Sequence, residues 1–239
     1  MQYQTFVKDI LPRTRDVKSF RFSRPAELEF KPGQYLLLTV SDQGKELSKS
    51  FTISSSPTVP DYLEITKRIT GSRFSAILDS FQMGDVVKID APHGNFIFDG
   101  GYTKIAALTG GIGITPLMSI CKYCTDVKAK TSIVLLYSNH CADNVPFKQE
   151  LDALQSGNKN LKVVFTITGM GTTAEQGSYL GRIKPEMVRR EIPDYYERLF
   201  FVSGPPPMVE SMTDLLLSMG IPEGQIKREE FSGYAEAAP

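Results

Sequence analysis

The chain has 239 residues, 41% of them apolar and 23% charged, with 27 Lys and Arg against 27 Asp and Glu. Those fractions exclude a disordered or collagen-like chain, and zero net charge excludes a coat for nucleic acid or anionic membrane, which needs concentrated cations. Cys121, Cys124 and Cys141 are too few for a disulfide framework and one short of a four-thiolate metal site; with no 18-residue apolar run and no apolar leader in MQYQTFVKDILPRTRD, the chain reads as cytoplasmic and reduced.

Six short strands are predicted in the first hundred residues: 5–7, 17–22, 35–40, 49–53, 62–67 and 86–90. Several alternate apolar and polar residues, the period of a strand with one wet face. Turn signals separate them, among them Lys31-Pro32-Gly33, Asp42-Gln43-Gly44, Ser56-Pro57, Met83-Gly84-Asp85 and Pro92-His93-Gly94. This spacing predicts a small antiparallel barrel, interrupted by one helix over 75–81. From Asp99 the grammar becomes strand then helix. A strand over 104–109 leads into a helix that Pro116 opens, and one over 132–137 into a helix starting at Pro146. Strands over 161–168 and 199–203 follow, then an amphipathic helix over 206–219 ended by Gly220. Alternating strands and helices predict a Rossmann-like parallel α/β sheet, so the chain divides into domains 1–98 and 99–239.

Four segments carry chemistry. In Thr109-Gly110-Gly111-Ile112-Gly113-Ile114-Thr115-Pro116, glycines at a strand end let backbone approach a pyrophosphate, and the next helix offers N–H groups. The dinucleotide fingerprint G-x-G-x-x-G is not met, because Pro116 takes the last glycine position, and a tight turn without ligand is the plain alternative. Ser203-Gly204-Pro205-Pro206-Pro207-Met208 makes a rigid turn at the carboxyl edge of the sheet, or simply a stiff helix entry. Residues 49–56, Lys-Ser-Phe-Thr-Ile-Ser-Ser-Ser, offer a cation, a ring and a run of hydroxyls; a barrel strand entering a serine-rich turn would look the same. In Gly71-Ser72-Arg73-Phe74-Ser75, Ser72 or Ser75 suits a helix cap that holds a phosphate or only the helix. Two further features read as structural. Cys121-Lys122-Tyr123-Cys124 lies inside a helix, and His93 and His140 are isolated. The first 24 residues hold six basic and two acidic side chains, a docking face for an acidic partner or a solvated face.

Taken in order, these segments resemble the ferredoxin–NADP reductase superfamily over nearly the whole chain. Lys49-Ser50-Phe51-Thr52 stands where that family runs Arg-x-Tyr-Ser/Thr, and residues 71–75 resemble its flavin phosphate turn. Gly84-Asp85 and Pro92-His93-Gly94-Asn95-Phe96 resemble the barrel's closing signature, with Ala91 in place of its first glycine. Residues 110–116 match the pyridine-nucleotide turn, and residues 203–208 resemble Cys-Gly-Pro-Pro-x-Met. Gly181-Arg182-Ile183 and Lys227-Arg228-Glu229-Glu230-Phe231 resemble its flavoreductase branch. Three departures stand out: Lys49 turns a bidentate fork into a point charge, Phe51 loses a hydroxyl, and Ser203 replaces a thiol.

The resemblance implies an antiparallel flavin barrel followed by a nicotinamide-dinucleotide domain. It implies FAD before FMN, with NADH or NADPH as hydride donor and a separate acceptor such as ferredoxin, flavodoxin or an oxygenase component. A flavin reductase that releases free reduced flavin is the alternative, and a non-catalytic nucleotide-binding subunit is a third. Thr52 and Ser203 are the implied catalytic residues, Thr52 near flavin N5 and Ser203 near the nicotinamide. Lys49, Ser50, Phe51, Ile65, Lys67, Gly71, Ser72 and Ser75 would hold the flavin. Thr109, Gly110, Gly111, Gly113, Ile114, Thr115 and Pro116 would line the dinucleotide pyrophosphate, with Gly204, Pro205 and Met208 flanking the nicotinamide. Phe231 or Tyr234 would cover the other flavin face. Ser138-Asn139-His140 lies where relatives commonly show an arginine, so NADH is the expected donor. A barrel and a nucleotide domain use up the length, leaving no room for an iron–sulfur domain.

Overall fold

Alternation along the first hundred residues resolves into one closed sheet. The computed structural model describes residues 1–169 and 178–231 and divides into two units, Met1–Asp99 with Thr115–Tyr123, and Gly100–Ile114 with Cys124 onward. In the first unit, β1 (Gln2–Pro12), β2 (Val17–Ser23), β3 (Tyr35–Asp42), β4 (Lys45–Thr52), β5 (Tyr62–Arg68) and β6 (Val86–His93) pair antiparallel in the order β4-β3-β6-β1-β2-β5. An antiparallel bridge between Ile53 and Ile65 joins the two edges and closes the sheet into a barrel. Closure removes the exposed edges that would otherwise invite pairing. Phe20, Phe22, Leu36, Leu38, Leu63 and Ile89 fill the interior.

The helix of this unit, α1 (Arg73–Asp79), begins two residues before its predicted start because Ser72 caps it, accepting from the Ser75 N–H at 3.3 Å. Strand β5 departs further from expectation. Its residues alternate apolar and polar, the pattern of a strand with one wet face, yet Leu63, Glu64, Ile65 and Thr66 are all buried. Glu64 is buried because cations surround it, as described below.

In the second unit, β7 (Lys104–Gly110) is followed by α2 (Thr115–Asp126), whose first nine residues fall in the first unit. Then come β8 (Ser132–Asn139), α3 (Lys148–Gly157), β9 (Leu161–Ile167), β10 (Tyr179–Leu180), α4 (Pro185–Glu191), β11 (Leu199–Gly204), α5 (Pro206–Ser218) and β12 (Ile226–Glu230). The strands are all parallel in the order β10-β9-β8-β7-β11-β12. From β7 the chain builds outward one way through β8 and β9, then returns to lay β11 on the other side. The order therefore reverses between β7 and β11, the place where open α/β sheets bind ligands beyond their carboxyl ends. Both glycine-containing turns singled out in the sequence leave those two strands.

Two predicted boundaries move. The helix expected from Pro146 starts at Lys148, because Phe147 sits at φ +62°, a left-handed conformation no helix continues through. Strands β10 and β12 and helix α4 escape a hydrophobic-period reading: β10 has two residues, and β12 reads Ile-Lys-Arg-Glu-Glu. Cys121 and Cys124 are buried and form no disulfide, and burial pushes the Cys124 thiol up to about 12, so it is no nucleophile at neutral pH. Among the described residues, no helix is long and apolar enough to cross a membrane, and no group of three or more acidic, His or Cys side chains is placed to hold a metal.

Candidate functional site

In the second unit the site is built from backbone. Gly111, at φ +55°, opens a single 3-10 turn over Gly111–Ile114 directly beyond β7. A β-carbon on Gly110 would stand 2.6 Å from the Met208 sulfur, and one on Gly113 only 2.6 Å from the Gly204 Cα and 2.7 Å from the Ser203 carbonyl oxygen. Glycine is required at Gly113, where the contact is with backbone, by the approach of the turn after β7 to the turn after β11; at Gly110 the near atoms belong to the flexible Met208 side chain. The fully buried Thr109 donates its hydroxyl to the Ser203 carbonyl at 2.8 Å. Ser203, also fully buried, donates to the Gly113 carbonyl at 2.8 Å. Pro205 then caps α5, with Pro206 in its first turn, and the Phe231 N–H donates to the Gly204 carbonyl at 3.0 Å. The structure thus gathers Thr109, Gly110, Gly113, Ser203, Gly204, Pro205, Met208 and Phe231. Ile114, Thr115 and Pro116 are buried, while Tyr234 lies outside the described residues.

Beside this turn lies a cavity of about 330 Å³ lined by Ser138, Thr168, Arg182, Pro205, Met208 and Ser211 among others. Among the described residues, Arg182 is its one charged lining residue. Sequence reasoning could not place Arg182, because only the parallel pairing of β8 and β9 brings the segment after β10 back to the end of β8.

The first unit gathers side chains instead. Phe51 on β4 and Phe74 on α1 meet at 5.6 Å between ring centroids, and the Lys49 ammonium stands 5.8 Å over the Phe74 ring. Half-buried Lys67 donates to the Arg68 carbonyl at 3.0 Å; burial and the neighbouring Lys49 charge lower its pKa. Neither lysine has a carboxylate partner among the described residues, so two ammoniums share a corner that lacks an anion. Thr52 is buried, and its hydroxyl has no hydrogen-bond partner among the described residues. These features fit an anionic, aromatic ligand: positive charge to neutralise, a ring to stack on and an unused hydroxyl.

Other expected flavin neighbours are placed differently. Ser75 is buried, its hydroxyl within 3.0 Å of both Ser72 and Thr70, so Ser72 is the more accessible of the two serines. The Ile65 side chain lies in the barrel core, Ser50 and Gly71 are exposed, and Ser54, Ser55 and Ser56 are buried and bonded within the chain.

A charged cluster was missed. Glu64, with no exposed side chain, accepts from Arg13 at 2.9 Å, from Arg21 at 3.0 Å and from the Ser54 hydroxyl at 3.2 Å, with Lys122 at 3.7 Å. Burial alone would raise its pKa, but Lys122, Arg13 and Arg21 together hold the carboxyl below the usual range. Four of the six basic residues of the N-terminal face are engaged within the chain. Arg13 and Arg21 are spent on Glu64, Lys18 pairs with Asp79 at 2.5 Å, and Arg24 donates to the carbonyls of Leu28, Pro57 and Val59.

A closed antiparallel barrel with an anion-seeking corner, followed by a parallel sheet with a glycine cradle at its switch point, defines a two-unit protein of the nucleotide-binding class. Residues 7–98 match the oxidoreductase FAD-binding domain family and residues 108–214 the oxidoreductase NAD-binding domain family. In this order the two matches agree with the resemblance to the ferredoxin–NADP reductase superfamily that the sequence motifs carry. The chain is 31% identical over 227 residues to the glycine betaine monooxygenase reductase subunit of Pseudomonas aeruginosa, covering 93% of this chain and 62% of that protein. To the propane 2-monooxygenase reductase component of Rhodococcus jostii it is 28% identical over 240 residues, covering 97% of this chain and 64% of the relative. The chain thus spans under two thirds of these relatives. In fold it is similar to a ferredoxin NADP+ reductase from Neisseria gonorrhoeae with bound FAD and NADP, at a TM-score of 0.82 and 21% identity, covering 96% of this chain and 98% of that one.

Proposed function

We propose that the chain is an NAD(P)H-dependent flavoprotein reductase that takes a hydride from a nicotinamide dinucleotide onto FAD and delivers electrons to a separate acceptor, an oxygenase component before ferredoxin or flavodoxin. The approach of Gly113 to Gly204 at the sheet's switch point carries this reading, because it keeps side chains out of the place where a pyrophosphate needs backbone. The names of the two reductase relatives favour the oxygenase acceptor. When bound, FAD would supply the two-electron to one-electron chemistry, so the hard chemistry belongs to the cofactor. The protein's contribution is position and charge. Lys49 and Lys67 would neutralise the flavin phosphates, Phe51 would offer its ring for stacking, and Thr52 would supply a free hydroxyl to the flavin. Ser72 caps the phosphate turn. Gly110, Gly111 and Gly113 line the dinucleotide pyrophosphate, and Gly204, Pro205 and Met208 flank the nicotinamide, with Phe231 next to them.

NADH is the preferred donor in this reading, since Ser138-Asn139-His140 ends β8 without an arginine, while Arg182 supplies the cation that lets NADPH serve as the slower one. Cysteines without disulfides support a reducing cytoplasm. Lys49 and Phe51 favour one alternative, a reductase that holds flavin loosely and releases it reduced. Purification separates the two. A yellow protein whose flavin band bleaches under anaerobic NADH, faster than under equal NADPH, supports the proposal. A colourless protein that oxidises NADH only with added free flavin favours the alternative, and one inert in both conditions contradicts both.

A further inference from the structure

The dinucleotide turn is held from both sides by buried hydroxyls, that of Tyr137, which has no role above, and that of Ser203, expected from the sequence beside the nicotinamide. Tyr137, on β8, is fully buried and donates its phenol O–H to the Gly111 carbonyl at 2.8 Å, with the Pro146 carbonyl 3.3 Å away. Ser203, on β11, donates to the Gly113 carbonyl at 2.8 Å. These strands flank β7 on either side. A buried hydroxyl without a partner is costly, and for each the turn carbonyl at 2.8 Å is the nearer acceptor, the Thr109 hydroxyl standing 3.2 Å from Ser203.

The consequence follows from the planarity of the peptide. In a trans peptide the C=O and the next N–H point in opposite directions. Anchoring the Gly111 carbonyl toward Tyr137 turns the Ile112 N–H away from it, and anchoring the Gly113 carbonyl toward Ser203 does the same for the Ile114 N–H. Glycine-rich backbone has no side chain to hold its peptides in one orientation, and Gly111 already occupies the left-handed region. An anion site made of backbone depends on that orientation. Full burial also keeps the Ser203 hydroxyl from a ligand at the sheet edge.

We infer that Tyr137 and Ser203 are positioning residues, which fix the peptide orientation of the Gly111–Ile114 turn for a pyrophosphate, and that Ser203 acts through Gly113 rather than on the nicotinamide. The inference rests on the reading of this turn as the dinucleotide site. It also revises the expectation that the Ser203 hydroxyl takes part in hydride transfer.

ADP-ribose, which has the pyrophosphate and no nicotinamide, separates the two roles. Its binding and that of NADH are measured on the FAD-loaded chain, its Tyr137→Phe variant and its Ser203→Ala variant, with flavin reduction at saturating NADH followed alongside. Each variant is expected to weaken ADP-ribose about three- to tenfold, weaken NADH by the same factor, and change the saturated reduction rate less than about twofold. Ser203→Ala that slows reduction while leaving ADP-ribose binding unchanged overturns the inference, as does Tyr137→Phe with unchanged ADP-ribose binding. A parent chain that binds neither ligand contradicts the reductase reading itself, and the inference falls with it. Each variant removes a single hydroxyl, so either carries the test if the other fails to fold.

Discussion

The two units are prepared for anions by opposite means. In the first, side chains carry the charge: Lys49 and Lys67 share a corner with the Phe51 and Phe74 rings and, among the described residues, no carboxylate. In the second, the turn itself offers backbone, kept bare at Gly110 and Gly113 and oriented by buried hydroxyls. A side-chain site tolerates exchange, since any cation of suitable reach serves. The backbone site does not at Gly113, where a β-carbon would meet the backbone of Ser203 and Gly204.

The largest effect expected lies where a side-chain network is buried rather than exposed. Glu64→Gln leaves Arg13, Arg21 and Lys122 beside a neutral amide and is expected to cost about 3–5 kcal/mol of stability, read from the denaturant midpoint of the first unit's unfolding. The pH dependence has a fixed sign. Glu64's folded pKa lies below its ordinary 4.5, so its contribution is full above that range and drains away as pH falls through the lower folded value. Glu64→Gln should therefore flatten the acid limb of the stability profile; an unchanged limb would show the carboxylate is not the group responsible.

A smaller effect is expected at the backbone site. Gly113→Ala forces a β-carbon against the Gly204 Cα and should cost about 1–3 kcal/mol by thermal melting, while Gly71→Ala, with nothing within 4 Å, should stay within about 0.5 kcal/mol. Equal costs at the two glycines would contradict the distinction between a cradle and an open turn.

The same contrast explains what the sequence disclosed. Glycine turns are legible because bare backbone leaves its mark as a missing side chain, so residues 110–113 pointed to their site directly. The six barrel strands and four of the parallel ones were legible from period and turn residues. Glu64 was not, because strand alternation assigns a charged residue to the wet face unless its partners are known, and Arg13 and Lys122 lie far off in sequence. Arg182 was hidden for the same reason. The start of α3 turned on a single left-handed residue, Phe147, which no propensity marks. Strand β12 is carried by pairing with β11 rather than by an apolar face, so its charged sequence conceals it.

The measurement that tests the division between the units most directly is a crossed binding experiment on Lys67→Met and Gly113→Ala. Lys67→Met is expected to lose FAD affinity about tenfold while binding ADP-ribose as the parent does, and Gly113→Ala to keep its FAD and lose ADP-ribose about tenfold or more. If both variants lose both ligands to the same degree, or each loses the other's, the assignment of side-chain charge to the flavin and bare backbone to the dinucleotide is wrong.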